Sequence, residues 1–209
     1  MQVIVVINPK GGSGKSTFAT NLAGGLAQQG RAVMLGDIDR QQSSRQWLQL
    51  RPPHLPPILS WDTSSDGPAK PPKQASHIVL DTPAGLHGKA LDRVLKHATH
   101  VIVPVQPSMF DILATRSFLE ALREEKALRK GRIQLGVIGM RVDARTRAAN
   151  DLARFIADYE LPLLTYLRST QLYVHTSASG ITLFDLPASR VERDLAEWQP
   201  VLRWLREAR

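Results

Sequence analysis

A lysine- and glycine-rich stretch near the start of the chain constrains the fold more than any other feature. It consists of Lys10, Gly11, Gly12, Ser13, Gly14, Lys15, Ser16 and Thr17. An apolar run precedes it at residues 3–7, and a helical pattern follows at residues 18–29. This order of strand, glycine turn and helix is typical of a phosphate-binding loop, because glycines let successive N–H groups point into one concavity.

Each residue after the glycines suits a nucleotide phosphate. Lys15 is placed to reach the β- and γ-phosphates, Ser16 to hold Mg²⁺, and Thr17 to reach the α-phosphate. The common pattern of phosphate-binding loops has a further glycine at position 9, where this chain has Pro9. This chain also has an extra lysine, Lys10, which the common pattern does not include. An ordinary glycine turn is the alternative, and the two lysines with Ser-Thr weigh against it.

Carboxylates follow two further apolar runs. Asp37 and Asp39 come after residues 32–36, and Asp81 closes residues 77–80. Ligands bind beyond the carboxyl ends of strands in α/β sheets, so Asp37 and Asp81 are predicted Mg²⁺ ligands. Alternation along an extended backbone puts Asp37 and Asp39 on one side. One of them could hold Mg²⁺ through water, and the other could orient the attacking water.

With these motifs and the segment Asp81-Thr82-Pro83-Ala84, the whole chain resembles the ParA/MinD family of deviant P-loop ATPases. It looks most like the short, ParF-like partition proteins. The resemblance implies that Lys10 reaches the phosphates of a partner in an ATP-sandwich dimer. It also implies that Asp39 takes part in hydrolysis, although Arg40 stands where the family usually has proline.

Three later segments match family positions. Residues 104–108 resemble a loop near the dimer interface, although simple strand-to-helix punctuation explains them equally well. Arg141 lies in a segment that the family places near the base, where its guanidinium could stack on adenine. A basic loop facing water is the alternative. Arg168 lies in a second segment that resembles one lining the base.

The alternating patterns predict an α/β chain: a single-domain P-loop NTPase fold, 1–209, with a mainly parallel twisted sheet flanked by helices on both faces. Strands are expected at 3–7, 32–36, 58–61, 77–80, 101–105, 133–138 and 161–165. Helices are expected at 18–29, 42–50, 86–97, 112–128, 147–158 and from Pro187 to the end, with a bend at Pro200 and helical turns at 169–177. The proline-rich residues 51–73 are interpreted as a surface excursion, or alternatively as an interaction segment.

The composition of the chain excludes some classes of protein and indicates the kind of partner. The chain has no cysteine, which excludes the iron–sulfur members of the wider superfamily, and its six histidines lack metal-ligand spacing. It has no secretory pattern and no apolar run of membrane-spanning length, so a cytoplasmic protein is expected, and the resemblance implies that it associates with the nucleoid. The net charge of +8 indicates a polyanion partner. The alternative is that the charge only makes the solvated surface basic. The predicted DNA contacts are Arg190, Arg193, Arg203 and Arg206.

The resemblance predicts a slow Mg²⁺-dependent ATPase that dimerises with ATP and binds double-stranded DNA non-specifically. A ParB-like or centromere-binding adaptor would stimulate it, and the cycle would position a plasmid, chromosome or other cargo. The main alternative is a MinD-like ATPase that acts at a membrane surface through its amphipathic last helix. A metabolic synthetase on the same fold and a nearly non-hydrolysing DNA scaffold are further rivals.

Overall fold

Strands and helices alternate along the chain in the computed structural model, which describes residues 1–64, 67–68 and 70–207. The strands in these ranges are β1 (Gln2–Val6), β2 (Val33–Asp37), β3 (Ile58–Trp61), β4 (Thr63–Ser64), β5 (Gly67–Pro68), β6 (His77–Asp81), β7 (His100–Val105), β8 (Gln134–Met140) and β9 (Leu163–Leu167). The helices are α1 (Lys15–Gln28), α2 (Ser43–Gln49), α3 (Gly88–Leu95), α4 (Met109–Glu124), α5 (Lys126–Arg129), α6 (Arg147–Ala157), α7 (Leu172–Ser177) and α8 (Ala188–Glu207).

Seven strands form one parallel sheet in the order β3-β2-β6-β1-β7-β8-β9. The predicted α/β class with a parallel sheet is therefore confirmed. β1 lies at the centre, with β6 on one side and β7 on the other, so the strand order reverses there. Such a switch point leaves a crevice at the carboxyl ends of the strands, where ligands bind in open α/β sheets.

The core has two layers, one on each face of the sheet. Val3 and Val5 of β1 face the layer covered by α3, α4 and α6, whereas Ile4 and Val6 face the layer covered by α1 and α8. Successive side chains of a strand point to opposite faces, and both faces here are apolar. This explains why β1 reads as a continuous β-branched run.

Several boundaries differ from the sequence prediction. α1 begins at Lys15 rather than at residue 18, so the phosphate-loop lysine is its first residue. The helix predicted over 112–128 breaks at Glu125, which is extended, and the short α5 then returns Ala127 and Leu128 to the core. The last strand begins after Pro162 rather than at residue 161, because proline has no N–H for the ladder.

Pro200, where a bend was predicted, lies inside α8, and the non-helical backbone of this helix is at Val191 instead. The proline-rich segment supplies β3 at one edge of the sheet and a small antiparallel pair, β4 and β5. Residues 65, 66 and 69 of that segment, and 208–209 at the end of the last helix, lie outside the described residues. Among the described helices, none has both the length and the apolar character needed to cross a bilayer.

Candidate active site

The glycine-rich loop joins β1 to α1 and leaves the amino end of that helix open. Gly14 has φ +94° and Gly12 has φ +76°, a left-handed backbone that glycine adopts without strain. A Cβ on Gly14 would also lie 2.7 Å from Cε of Met140. The first turn of α1 has no acidic residue, and no side chain caps it. The helix therefore presents free N–H groups to an anion.

A cavity of about 490 Å³ opens in front of this loop. The loop lines it with Gly11, Gly12 and residues 14–17, and facing segments contribute Asp39, Gln41, Ser43, Pro83, Ala84 and Arg141. Segments that follow β1, β2, β6 and β8 thus meet at one edge of the sheet. Of the predicted loop residues, Ser13 is fully buried behind the cavity wall.

Lys15 and Asp81 face each other in a desolvated part of the site. Burial lowers the pKa of Lys15, against the opposing effect of Asp81 and Asp39. The Lys15 ammonium donates to the Lys10 carbonyl at 3.1 Å. Burial raises the pKa of Asp81 to about 6, although the hydroxyls of Ser16 and Ser44 favour its charged form. A cation at this position would remove the cost that burial imposes on the Asp81 carboxylate.

The oxygens of Asp81 meet the requirement for a metal ligand. Oδ2 accepts a hydrogen bond from Ser44, while Oδ1 is buried and has no partner in the described structure. A carboxylate oxygen and a nearby serine hydroxyl are ligands that Mg²⁺ prefers, and this ion usually takes its other ligands from water and phosphate. The described residues contain no cluster of three or more His, Cys, Asp or Glu side chains that could hold a metal ion. Asp81 and Ser16 would hold the ion, whose chemistry is to neutralise phosphate charge.

Asp37 has a different environment from the one that the sequence suggests. Its Oδ1 accepts from Asp39 N at 2.9 Å, and its Oδ2 accepts from Ser44 N at 2.9 Å and from Arg45 N at 3.2 Å. Asp37 therefore fixes the turn and the start of α2. Its role as a metal ligand stays a prediction that these bonds do not favour.

Asp37 and Asp39 do not share one side of an extended backbone, because β2 ends at Asp37 and the chain then turns. Asp37 is buried, whereas Asp39 is half-buried and lines the cavity. Asp39 accepts a hydrogen bond from Gln41 N at 3.0 Å. The structure therefore brings Asp39, and not Asp37, to the wall of the phosphate cavity.

Lys10 points away from the cavity that its own loop encloses. Its ammonium lies 2.7 Å from Oδ2 of Asp111, at the start of α4. Asp111 is buried and also accepts a hydrogen bond from Ser108. Side-chain exposure is 37% for Lys10 and 9% for Asp111, so the lysine head reaches a surface while its partner is held inside.

A second cavity, of about 320 Å³, adjoins the first and shares Gly14, Thr17 and Arg141 with it. Arg141 is exposed and has φ +56°, which is uncommon for a residue with a Cβ and often marks functional sites. Arg168 also lines this cavity, but its guanidinium forms two hydrogen bonds, of 2.7 and 2.9 Å, to the buried Asp194. This second cavity leaves room for a nucleotide base beside the phosphate cavity. The predicted contacts of Arg141 and Arg168 with that base stay predictions.

The four arginines predicted to bind DNA are all exposed on α8, yet they do not form one patch. Arg190 and Arg193 lie near the carboxyl ends of the strands, as Arg168 and Asp194 do. Arg203 and Arg206 lie at the other end, where Gln2 of β1 donates to the Leu205 carbonyl. Since a helix rises 1.5 Å per residue, the two pairs are about 20 Å apart along the axis.

Sequence reasoning gave no role to Ser44, and it did not predict the contacts of Gln106 and Asp111, which lie in and just after the segment 104–108. Ser44 donates to Asp81 at 2.7 Å, Asp111 holds Lys10, and Gln106 Nε2 donates to the Gly12 carbonyl at 2.6 Å. The bond from Gln106 connects the segment 104–108 directly to the phosphate loop. No local pattern signals these contacts, because each joins residues that lie far apart in the sequence.

Comparison with known proteins agrees with this geometry. Residues 4–183 match the family described as the CobQ/CobB/MinD/ParA nucleotide binding domain. The chain is 25% identical over 191 residues to maintenance of carboxysome distribution protein A of Halothiobacillus neapolitanus, covering 88% of each chain. It is 27% identical over 182 residues to the chromosome-partitioning ATPase Soj of Thermus thermophilus, covering 71% of this chain and 73% of Soj.

A solved structure shows the same fold. The ATP complex of a variant of McdA from Cyanothece superposes with a TM-score of 0.72 at 16% identity, covering 96% of both chains. The family match spans most of this chain, and the two curated relatives are positioning and partitioning proteins by name. The phosphate loop with two lysines, the carboxylates at the strand ends and these matches together show that the chain belongs to the ParA/MinD family of P-loop ATPases.

Proposed function

We propose that this protein is a cargo-positioning ATPase that works as an ATP-sandwich homodimer. ATP and Mg²⁺ bridge two copies, and the dimer binds double-stranded DNA without reading its sequence. A ParB-like or other cargo-bound adaptor stimulates slow hydrolysis and so releases the dimer from the nucleoid. Relatives named for carboxysome distribution and for chromosome partitioning support a cargo that is either an organelle-like body or DNA.

The position of Lys10 carries this proposal. Among the described residues that line the phosphate cavity, Lys15 is present and Lys10 is not. Lys10 instead extends to Asp111 on the neighbouring α4, with its ammonium partly exposed. A lysine at the front of a phosphate loop that does not serve its own cavity is available to the phosphates of a second copy.

The remaining groups suit hydrolysis by positioning and charge stabilisation, which is how phosphoryl transfer is catalysed. The free N–H groups at the start of α1 and Lys15 bind phosphate oxygens. Asp39 lies on the cavity wall, where it can orient a water molecule. Asp81 and Ser16 would hold a Mg²⁺ ion, which would supply neutralisation of the phosphate charge.

The experiment compares Lys15→Ala and Lys10→Ala with the unmodified protein. We expect Lys15→Ala to lose nucleotide binding, and Lys10→Ala to bind ATP with similar affinity but remain monomeric by light scattering. Binding to random-sequence duplex DNA is then measured with ATP, ADP and no nucleotide at one stated salt concentration. ATP-dependent DNA binding that Lys10→Ala abolishes supports the proposal.

Two outcomes would contradict the proposal. An ATP-dependent dimer of Lys10→Ala would rule out the sandwich. Equal binding to DNA with ATP, with ADP and without nucleotide would mean that the net positive charge alone attracts the DNA. The MinD-like alternative has less support, because Trp198, Val201, Leu202 and Leu205 of α8 are buried in the core. ATP-dependent binding to anionic vesicles, with no binding to DNA, would favour that alternative.

A further inference from the structure

A buried serine, Ser44, connects the turn that carries Asp39 to the carboxylate of Asp81. Ser44 is the second residue of α2 and has no exposed surface. Its hydroxyl donates to Oδ2 of Asp81 at 2.7 Å, across 37 residues of sequence. A buried hydrogen bond to a carboxylate is short and strong, so it fixes the orientation of its acceptor.

The other oxygen of Asp81 has no partner. Oδ1 is buried and forms no hydrogen bond within the described ranges, although the Ser16 hydroxyl lies close enough to favour the charged carboxylate. Buried polar atoms without a partner are rare, and each one needs an explanation. Because both oxygens belong to one planar group, a bond that fixes Oδ2 also fixes the direction of Oδ1. A ligand that satisfies Oδ1 therefore meets a group that is already oriented.

Ser44 is itself held in place from the opposite side. Its N–H donates to Oδ2 of Asp37 at 2.9 Å, and Oδ1 of Asp37 accepts from the N–H of Asp39 at 2.9 Å. Asp37 and Asp81 are direct partners in the register of β2 and β6. The turn with Asp39, the start of α2 and the Asp81 carboxylate are thus joined by one chain of hydrogen bonds, of which the two that involve Ser44 are buried.

We propose that Ser44 is a positioning residue, which orients Asp81 so that its free oxygen binds the Mg²⁺ of a bound Mg²⁺–nucleotide. This inference rests on the proposed ATPase function, since it concerns how the same site holds its metal. It gives the serine hydroxyl a role that its neighbour Ser43, on the cavity wall, does not share. Alanine at position 44 would remove the donor that holds Oδ2, so the Asp81 carboxylate would lose the bond that fixes its orientation.

The test measures how much Mg²⁺ strengthens nucleotide binding. The dissociation constant of a fluorescent ATP analogue is determined in EDTA and in excess Mg²⁺ for the unmodified protein, Ser44→Ala and Ser44→Thr. Ser117→Ala, an exposed change on α4, is the matched control. In EDTA, we expect Ser44→Ala to bind the analogue as tightly as the unmodified protein does. The factor by which Mg²⁺ lowers the dissociation constant should be about tenfold smaller in Ser44→Ala. Ser44→Thr, which keeps the hydroxyl, should recover most of that gain.

A double-mutant cycle separates positioning from general damage. If Ser44 acts through Asp81, then adding Ser44→Ala to Asp81→Asn leaves the remaining Mg²⁺ gain unchanged. Three results would each overturn the inference. They are a Ser44→Ala variant whose nucleotide binding Mg²⁺ strengthens as much as in the unmodified protein, a Ser44→Ala variant that loses as much affinity in EDTA as in Mg²⁺, and a double variant whose binding Mg²⁺ strengthens less than that of Asp81→Asn alone. The proposed function fails separately: in that case the unmodified protein itself shows no Mg²⁺-dependent nucleotide binding.

Discussion

At the scale of single residues, the three carboxylates of this site differ in burial, and their contacts differ accordingly. Asp37 is buried and fixes backbone N–H groups, Asp81 is buried with one free oxygen, and Asp39 is half-buried on the cavity wall. Only Asp39 has both access to the cavity and a carboxylate close to solvent. Of the three, Asp39 is therefore the residue that we predict to orient the attacking water.

Replacing Asp39 with alanine should separate binding from hydrolysis. We expect Asp39→Ala to bind ATP and dimerise, but to release phosphate about 100-fold more slowly, as is typical when a positioned proton acceptor is removed. The dimer should then persist, as chromatography with light scattering would show. Asp158→Ala, an exposed change after α6, serves as control. Phosphate release at the normal rate in Asp39→Ala would remove this residue from the mechanism.

Which of these residues the sequence can predict depends on whether their contacts are local. Lys15, Ser16 and Asp81 follow from motifs in which neighbouring residues form the site. Ser44 and Asp111 do not, because their partners lie 37 and 101 residues away and meet only through strand order. The turn after β2 was also beyond pattern reading: alternation predicts an extended chain, whereas hydrogen bonds to Asp37 bend it.

At the scale of elements, α1 and α8 pack on the same face of the sheet and meet through aromatic side chains. Trp198 of α8 stacks on Phe18 of α1, with ring centroids 4.9 Å apart and planes at 15°. Its indole N–H donates to the Tyr173 hydroxyl at 3.0 Å, and its edge meets Phe184. Because Phe18 follows the phosphate loop directly, this packing supports the helix whose amino end binds the anion.

Truncating Trp198 should destabilise the protein and weaken the site through α1. A fully buried tryptophan replaced by alanine costs about 3–5 kcal/mol, which for a chain of this size lowers the melting temperature by roughly 10 °C. Nucleotide should restore part of that loss, because it binds only the folded state. Trp198→Phe keeps an aromatic ring and should cost less. If Trp198→Ala melts as the unmodified protein does, α8 is not part of the cooperative core.

At the scale of the whole molecule, the basic charge of the chain is divided between the two ends of the sheet. Near the carboxyl ends of the strands, Arg193 lies 3.8 Å from Glu197, and Arg168 is paired with Asp194. Near the amino ends, Arg206 and Arg31 line one cleft of about 400 Å³. Of the four exposed arginines of α8, Arg193 alone pairs with a described carboxylate, and Arg203 and Arg206 lie at the end of the sheet opposite the nucleotide cavity.

This division predicts which arginines govern DNA binding. We expect the double change Arg203→Glu and Arg206→Glu to weaken ATP-dependent binding to duplex DNA more than Arg190→Glu and Arg193→Glu, which alter the net charge equally. Each lost phosphate contact should also lower the slope of log affinity against log salt by about 0.9. Because a dimer presents every arginine twice, the change in slope should be about double that of one copy. Equal loss from both pairs would indicate that DNA responds to net charge alone, whereas a greater loss from Arg190 and Arg193 would place the duplex beside the nucleotide.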